Sequence, residues 1–104
     1  MEFANVYFVS GPMLGGKSVS LNIDGLSELA HVSVEVIDAK TFRPVPGYSS
    51  QECQPVESGL QSQVTWQARR ELPGTSGPVR NRVNYGGARP EDPRLYAIYV
   101  KKAA

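Results

Sequence analysis

The sequence predicts an all-β chain folded as an antiparallel β-sandwich, jelly-roll-like, of six to eight short strands. Three observations carry that expectation. Several runs alternate apolar and polar residues at period two, most cleanly from Lys17 to Asp24 and from His31 to Asp38. Ten Gly and eight Pro punctuate 104 residues, which supplies many turns. No stretch keeps a helical period long enough to make a helix. At this length residues 1–104 form a single β-sandwich domain, large enough for one hydrophobic core and too small for two.

The elements follow in order. Glu2 to Val9 is rich in β-branched and aromatic residues and reads as a strand, broken by Gly11-Pro12 and turned by Gly15-Gly16. Lys17 to Asp24 places Val19, Leu21 and Ile23 on one face, the pattern of a half-buried strand. Asp24-Gly25 opens a turn, and Leu26 to Ala30 is long enough for one helical turn only. His31 to Asp38 alternates again, with Val32, Val34 and Val36 inward. Phe42 to Pro46 reads as a short extended segment, and Ser49 to Glu52 as one turn with a serine cap. Strands are then expected over Gln63 to Gln67, Val79 to Tyr85 and Arg94 to Lys101. The last should set Tyr96, Ile98 and Val100 on one face, with Leu95, Ala97 and Tyr99 on the other.

Composition narrows the function classes. Apolar residues at 40% and charged residues at 20% argue against disorder. No apolar run reaches the roughly 20 residues that span a bilayer, and the N-terminus shows neither the basic region nor the small-residue cleavage site of a signal peptide. Net charge is +1 but unevenly spread. Residues 1–60 carry Lys17, Lys40 and Arg43 against seven acids, a net of −4; residues 61–104 carry eight Lys and Arg against Glu71, Glu91 and Asp92, a net of +5. In an antiparallel sheet this asymmetry serves cross-strand ion pairs. A nucleic-acid surface built on Arg69, Arg70, Arg80, Arg82, Arg89 and Arg94 is the sharper alternative, and the near-neutral total argues against it.

Catalytic and metal chemistry find little here. Cys53 is the only cysteine, so no internal disulfide or cysteine-based zinc site is available; His31, the only histidine, lacks the partner motif of a Ser-His-Asp order and cannot alone make a transition-metal site. Cys53 reads as a small buried hydrophobe. Gly11 to Ser18 fits the G-x-x-x-x-G-K-S pattern of a phosphate-binding loop. That chemistry needs a helix starting at the Lys and Ser, and the residues after Lys17 alternate as a strand. The match is a decoy. No enzyme, cofactor or metal is expected.

The stretch Arg43-Pro44-Val45-Pro46-Gly47-Tyr48-Ser49, followed by Glu52-Cys53-Gln54-Pro55-Val56 and Val64-Thr65-Trp66, organises the chain. It lies between Leu21-Asn22 and Val32-Ser33-Val34-Glu35-Val36-Ile37-Asp38 before it, and Pro78-Val79-Arg80-Asn81-Arg82 and Leu95-Tyr96-Ala97 after it. This ordered series resembles a small C-terminal β-sandwich accessory domain of bacterial, planctomycete-type multidomain proteins, often preceded by a glycoside-hydrolase-like or sialidase-like β-propeller. The resemblance implies a non-catalytic accessory domain and supplies no binding residues to carry over. Carbohydrate association is the leading expectation, with a structural or oligomerising β-sandwich that takes no small-molecule ligand as the alternative. Arg69-Arg70-Glu71 and the loop from Asn84 to Pro93 depart from that pattern.

A glycan site would draw on exposed aromatic rings with polar side chains beside them. The candidates are Tyr48, Trp66 and Tyr85, with Glu52, Arg80 and Arg82 as hydrogen-bonding groups. Each has a plainer role. Trp66 shares the face of Val64 and fits the core, Tyr48 locks a turn, and the two arginines share a solvated strand face. Tyr85, before Gly86-Gly87, is expected to be the most exposed of the three. The partner would be a polysaccharide, or a second copy joined through strand edges and served by Phe3, Tyr7 and Phe8.

Overall fold

The computed structural model describes residues 6–13, 17–67, 69, 72, 77–89 and 92–102. Within them the alternating runs become six strands: β1 (Val6–Val9), β2 (Lys17–Asp24), β3 (His31–Asp38), β4 (Gly59–Val64), β5 (Val79–Gly86) and β6 (Arg94–Lys102). They form two three-stranded antiparallel sheets, ordered β1-β5-β3 and β4-β2-β6. Odd strands make one sheet and even strands the other, so every connection crosses between sheets. No helix is present among the described residues.

The period-two pattern explains why the sheets stack. Val19, Leu21 and Ile23 of β2 meet Val32, Val34 and Val36 of β3, with Val64, Val79 and Val83, in one buried cluster. Each such side chain, fully buried, contributes about 1.5–3 kcal/mol. Asn81 occupies an inward position of β5 opposite Val36, where alternation would place an apolar residue. Its backbone N–H donates to Ser10 Oγ at 2.9 Å, which ties the end of β1 to the sheet.

Three expectations change. The fourth strand runs Gly59–Val64 rather than Gln63 to Gln67. Its ladder stops at Val64 because Trp66 and Arg69 exchange backbone hydrogen bonds of 2.8 and 2.7 Å in a tight turn, with Gln67 at φ 50°. The start of β4 alternates weakly because its side chains are exposed on a sheet edge. In β6, Ala97 pairs with Asn22 but Leu95 pairs with Ile23, so Tyr96 is the extra residue of a bulge. That bulge returns Leu95 to the core side with Ile98 and Val100 and leaves Tyr96 62% exposed. Finally, Ser27 and Ala30 exchange backbone hydrogen bonds of 2.8 and 3.2 Å, closing a tight turn where one turn of helix was the expectation.

Two expected features lie partly outside the described residues: Glu2 to Asn5 of the first strand, and Gly15-Gly16 of the first turn. Lys17 and Ser18 open β2 and pair with Lys102 and Lys101 of β6. A strand therefore stands where a phosphate-binding loop would need a helix.

Candidate functional site

The stretch that organises the sequence covers an edge. β3 is an outer strand of its sheet, and its edge backbone groups find partners in residues 43–53 and in Trp66. Asp38 N–H donates to Arg43 O at 2.9 Å, Val45 N–H to Val36 O at 2.9 Å, and Val36 N–H to Tyr48 O at 3.0 Å. Val34 N–H donates to Cys53 Sγ at 3.3 Å, and Trp66 Nε1–H to Val34 O at 2.7 Å. Pro44 and Pro46 have no N–H of their own, so Val45 alone donates between them. Ser49 and Glu52 lock the following turn reciprocally: Ser49 Oγ bonds Glu52 Oε1 at 2.9 Å, and Glu52 N–H donates to Ser49 Oγ at 3.2 Å.

This arrangement places two of the proposed sugar platforms in the core. Trp66 is 0% exposed and Tyr48 is buried beside it, with ring centroids 5.1 Å apart and planes tilted by 58°. The Arg69 guanidinium lies 5.6 Å from the Tyr48 centroid. Gly47, at φ +89°, keeps that approach open, since a Cβ there would sit 2.7 Å from an Arg69 Nη. Neither ring has a face open to a ligand, and the reason is edge coverage.

Tyr85 is the most exposed of the three rings, as expected, but is not free of the core. It lies opposite Val32 on the inward face of β5 and is half-buried against the core. Desolvation pushes its phenol above the ordinary range.

Arg80 and Arg82 do share the outward face of β5. Arg80 donates Nε–H to Ala39 O at 3.2 Å and an Nη–H to Ser10 O at 3.1 Å, with its guanidinium 5.3 Å from the Phe42 centroid. It ties together the ends of β1 and β3. Arg82 stacks 4.1 Å from the centroid of Tyr7, whose ring is 52% exposed, and its Nε is buried without a hydrogen-bond partner.

Cys53 and His31 occupy separate places. The Cys53 thiol accepts from Val34 N–H and donates to Gln54 O at 3.3 Å. Burial pushes the thiol up, and the Val34 N–H offsets part of that. His31 packs on Gly86, where a Cβ would sit 2.8 Å from its Cε1. An open groove of about 270 Å³ lies beside His31, between the Leu26–Ala30 turn and the segment Val56 to Ser58.

The remaining edges are unequal. β1 is short, and β4 carries a register shift and the polar run Gln61-Ser62-Gln63. β6 is the longest strand, pairs only with β2 among the described residues, and contains no proline. Its centre, Leu95 to Val100, has six residues without a charge, and Tyr96 and Tyr99 are 62% and 36% exposed. In the sequence this edge is marked only by an uncharged run apolar on both faces. No family model matches the chain, and no similar curated protein or solved structure is found.

Proposed function

We propose that the chain is a non-catalytic accessory module that works by strand addition, taking an extended segment of another polypeptide along β6. The observation that carries this reading is the contrast between the two long edges. From Val34 to Asp38, β3 has its edge groups occupied by residues 43–53 and Trp66, whereas β6 presents a nine-residue edge that no described residue covers. An uncovered edge of that length is a template for a further strand, with main-chain hydrogen bonds giving affinity and alternate side chains giving selectivity. The engagement of Cys53 in backbone hydrogen bonds supports the non-catalytic part of the reading. Jelly-roll connectivity belongs to it too, supported by the crossing of every connection between the two sheets.

The test is amide hydrogen exchange on the full chain. Edge amides of β6 should exchange much faster than those of β2 and β3, and addition of extended peptides should slow them. Fast exchange that no extended peptide changes, in a chain that stays monomeric, would count against strand addition.

A second reading keeps carbohydrate association and moves its platform. Tyr7, exposed and stacked under Arg82, presents an aromatic face beside a guanidinium on the outward surface of the β1-β5-β3 sheet. Polysaccharide binding lost in Tyr7→Ala would favour it.

A further inference from the structure

The charges around β6 bear on what it would take, and the argument rests on strand addition as its premise. β6 carries Arg94 at its start and Lys101 and Lys102 at its end, with no acidic residue between or beside them in the strand. Lys17 of β2 pairs with Lys102, which adds a third lysine at that end. Asp24, paired with Arg94, is the one acid of β2 and sits at the opposite end.

A second copy fits this edge poorly. Antiparallel pairing over the regular stretch Ala97 to Lys102 sets Lys101 of one copy opposite Ile98 of the other, twice, so both cationic ends crowd one short ladder. Sliding the register shortens the ladder and brings the two Lys101-Lys102 pairs toward each other. Parallel pairing sets each cation against its own counterpart. Like charges directly opposite across a strand pair destabilise it, and juxtaposed like charges are a standard means of rejecting wrong partners. The same cations favour a strand of opposite sign at its ends. Between them, the uncharged run Leu95 to Val100 asks for side chains without charge.

We infer that the β6 edge takes an extended polypeptide segment whose uncharged, β-branched stretch is flanked by acidic residues, and that it rejects a second copy of this chain. The bulge at Tyr96 sets the length of the match. Regular pairing is available from Ala97 to Lys102, so the acid that matters most lies opposite Lys101, whose exposed ammonium makes a long 3.4 Å bond to Gln61 Oε1 of β4 that an incoming carboxylate would replace.

The experiment uses the full chain and two labelled synthetic peptides of alternating Val and Thr, one with Glu at both ends and one with Lys. Affinity is read by fluorescence anisotropy, and the place of binding by amide shifts. The Glu-flanked peptide should bind about tenfold more tightly or better, from a few rim charge pairs. Its shifts should fall on β6, and its affinity should drop with added salt. Lys101→Glu, an exposed substitution that leaves the core untouched, should narrow the difference about fivefold.

Equal binding of both peptides at β6 would overturn the acidic-partner inference and leave strand addition standing. So would concentration-dependent dimerisation through β6 without peptide binding. Binding of the Glu-flanked peptide away from β6, or preferential binding of single-stranded DNA there, would overturn it as well. A monomer whose β6 amides respond to neither peptide nor protein concentration would remove both the inference and the reading beneath it.

Discussion

Trp66 donates its indole N–H to the main-chain carbonyl of Val34 across 2.7 Å, joining positions thirty-two residues apart in a fully buried contact. The same Val34 gives its N–H to Cys53 Sγ. One residue of an outer strand thus has both edge groups satisfied by side chains rather than by another strand. The indole is therefore a hydrogen-bonding closure as well as core volume. Trp66→Phe should cost about 2–3 kcal/mol in urea unfolding, from an orphaned buried carbonyl and lost ring volume. A cost under about 0.5 kcal/mol, the size of an ordinary surface substitution, would show that the Val34 carbonyl does not need the indole.

Cys53 gives a second test of that closure. Its thiol pKa is raised first by desolvation, so the neutral thiol is the form that the fold favours. A group raised in this way contributes stability that is full below its unfolded pKa and is lost as pH rises through its folded pKa. Stability should therefore fall on the alkaline side of the ordinary thiol range, and Cys53→Ala should flatten that part of the profile. Alkylation by iodoacetamide should likewise need a higher pH than a free thiol does. Ready alkylation at neutral pH would contradict the placement of Cys53 against Val34.

At the other end of β3, the Asp38 carboxylate accepts N–H groups from Thr41 at 2.9 Å and Lys40 at 2.8 Å. These bonds, that from Thr41 first, hold its pKa below the usual carboxylate value. The sign is the reverse of that for Cys53. The contribution is present above the unfolded carboxylate pKa and lost as pH falls through the lower folded value. A proton titration followed by NMR should place Asp38 below the ordinary aspartate midpoint, and Asp38→Ala should loosen the turn that leads into Phe42. An ordinary midpoint would mean that the turn does not hold the carboxylate.

Arg80 reaches two carbonyls, those of Ala39 and Ser10, which belong to the ends of different strands. That task needs a planar group with several fixed donors, so lysine is not an equivalent. Arg80→Lys and Arg80→Ala should both lower stability, by about 1–2 kcal/mol, in thermal or urea unfolding. Lysine matching the parent protein would show that charge alone suffices at this position.

Much of the fold was legible because burial repeats at period two. Lys17–Asp24 and His31–Asp38 are strands with the boundaries that the alternation gives. What alternation does not encode is the edge. β4 begins at Gly59 in a polar run, since an exposed edge strand has no buried face to mark it. The β6 bulge exchanges the faces of Leu95 and Tyr96, and nothing local in Leu95-Tyr96-Ala97 announces an extra residue. Trp66 and Tyr48 were legible as core residues or as platforms alike. The choice turns on the free edge of β3, a strand that ends ten residues before Tyr48 and lies about thirty before Trp66.

The cations of β6 lead to a prediction about the chain on its own. If Arg94, Lys101 and Lys102 keep two copies apart, removing one should let them pair, because the uncharged run Leu95 to Val100 already favours a strand neighbour. Lys101→Val should make the chain self-associate at concentrations where the parent stays monomeric, as read by sedimentation. Salt should act in the same direction on the parent chain, since screening shortens the reach of charge from about 8 Å at 0.15 M to about 3 Å at 1 M. A second substitution, Tyr99→Lys, restores charge to the same edge and should reverse the effect of Lys101→Val. Self-association that ignores both salt and Lys101 would place the contact elsewhere, with the exposed rings of Tyr7 and Phe8 on β1 as the next surface to alter.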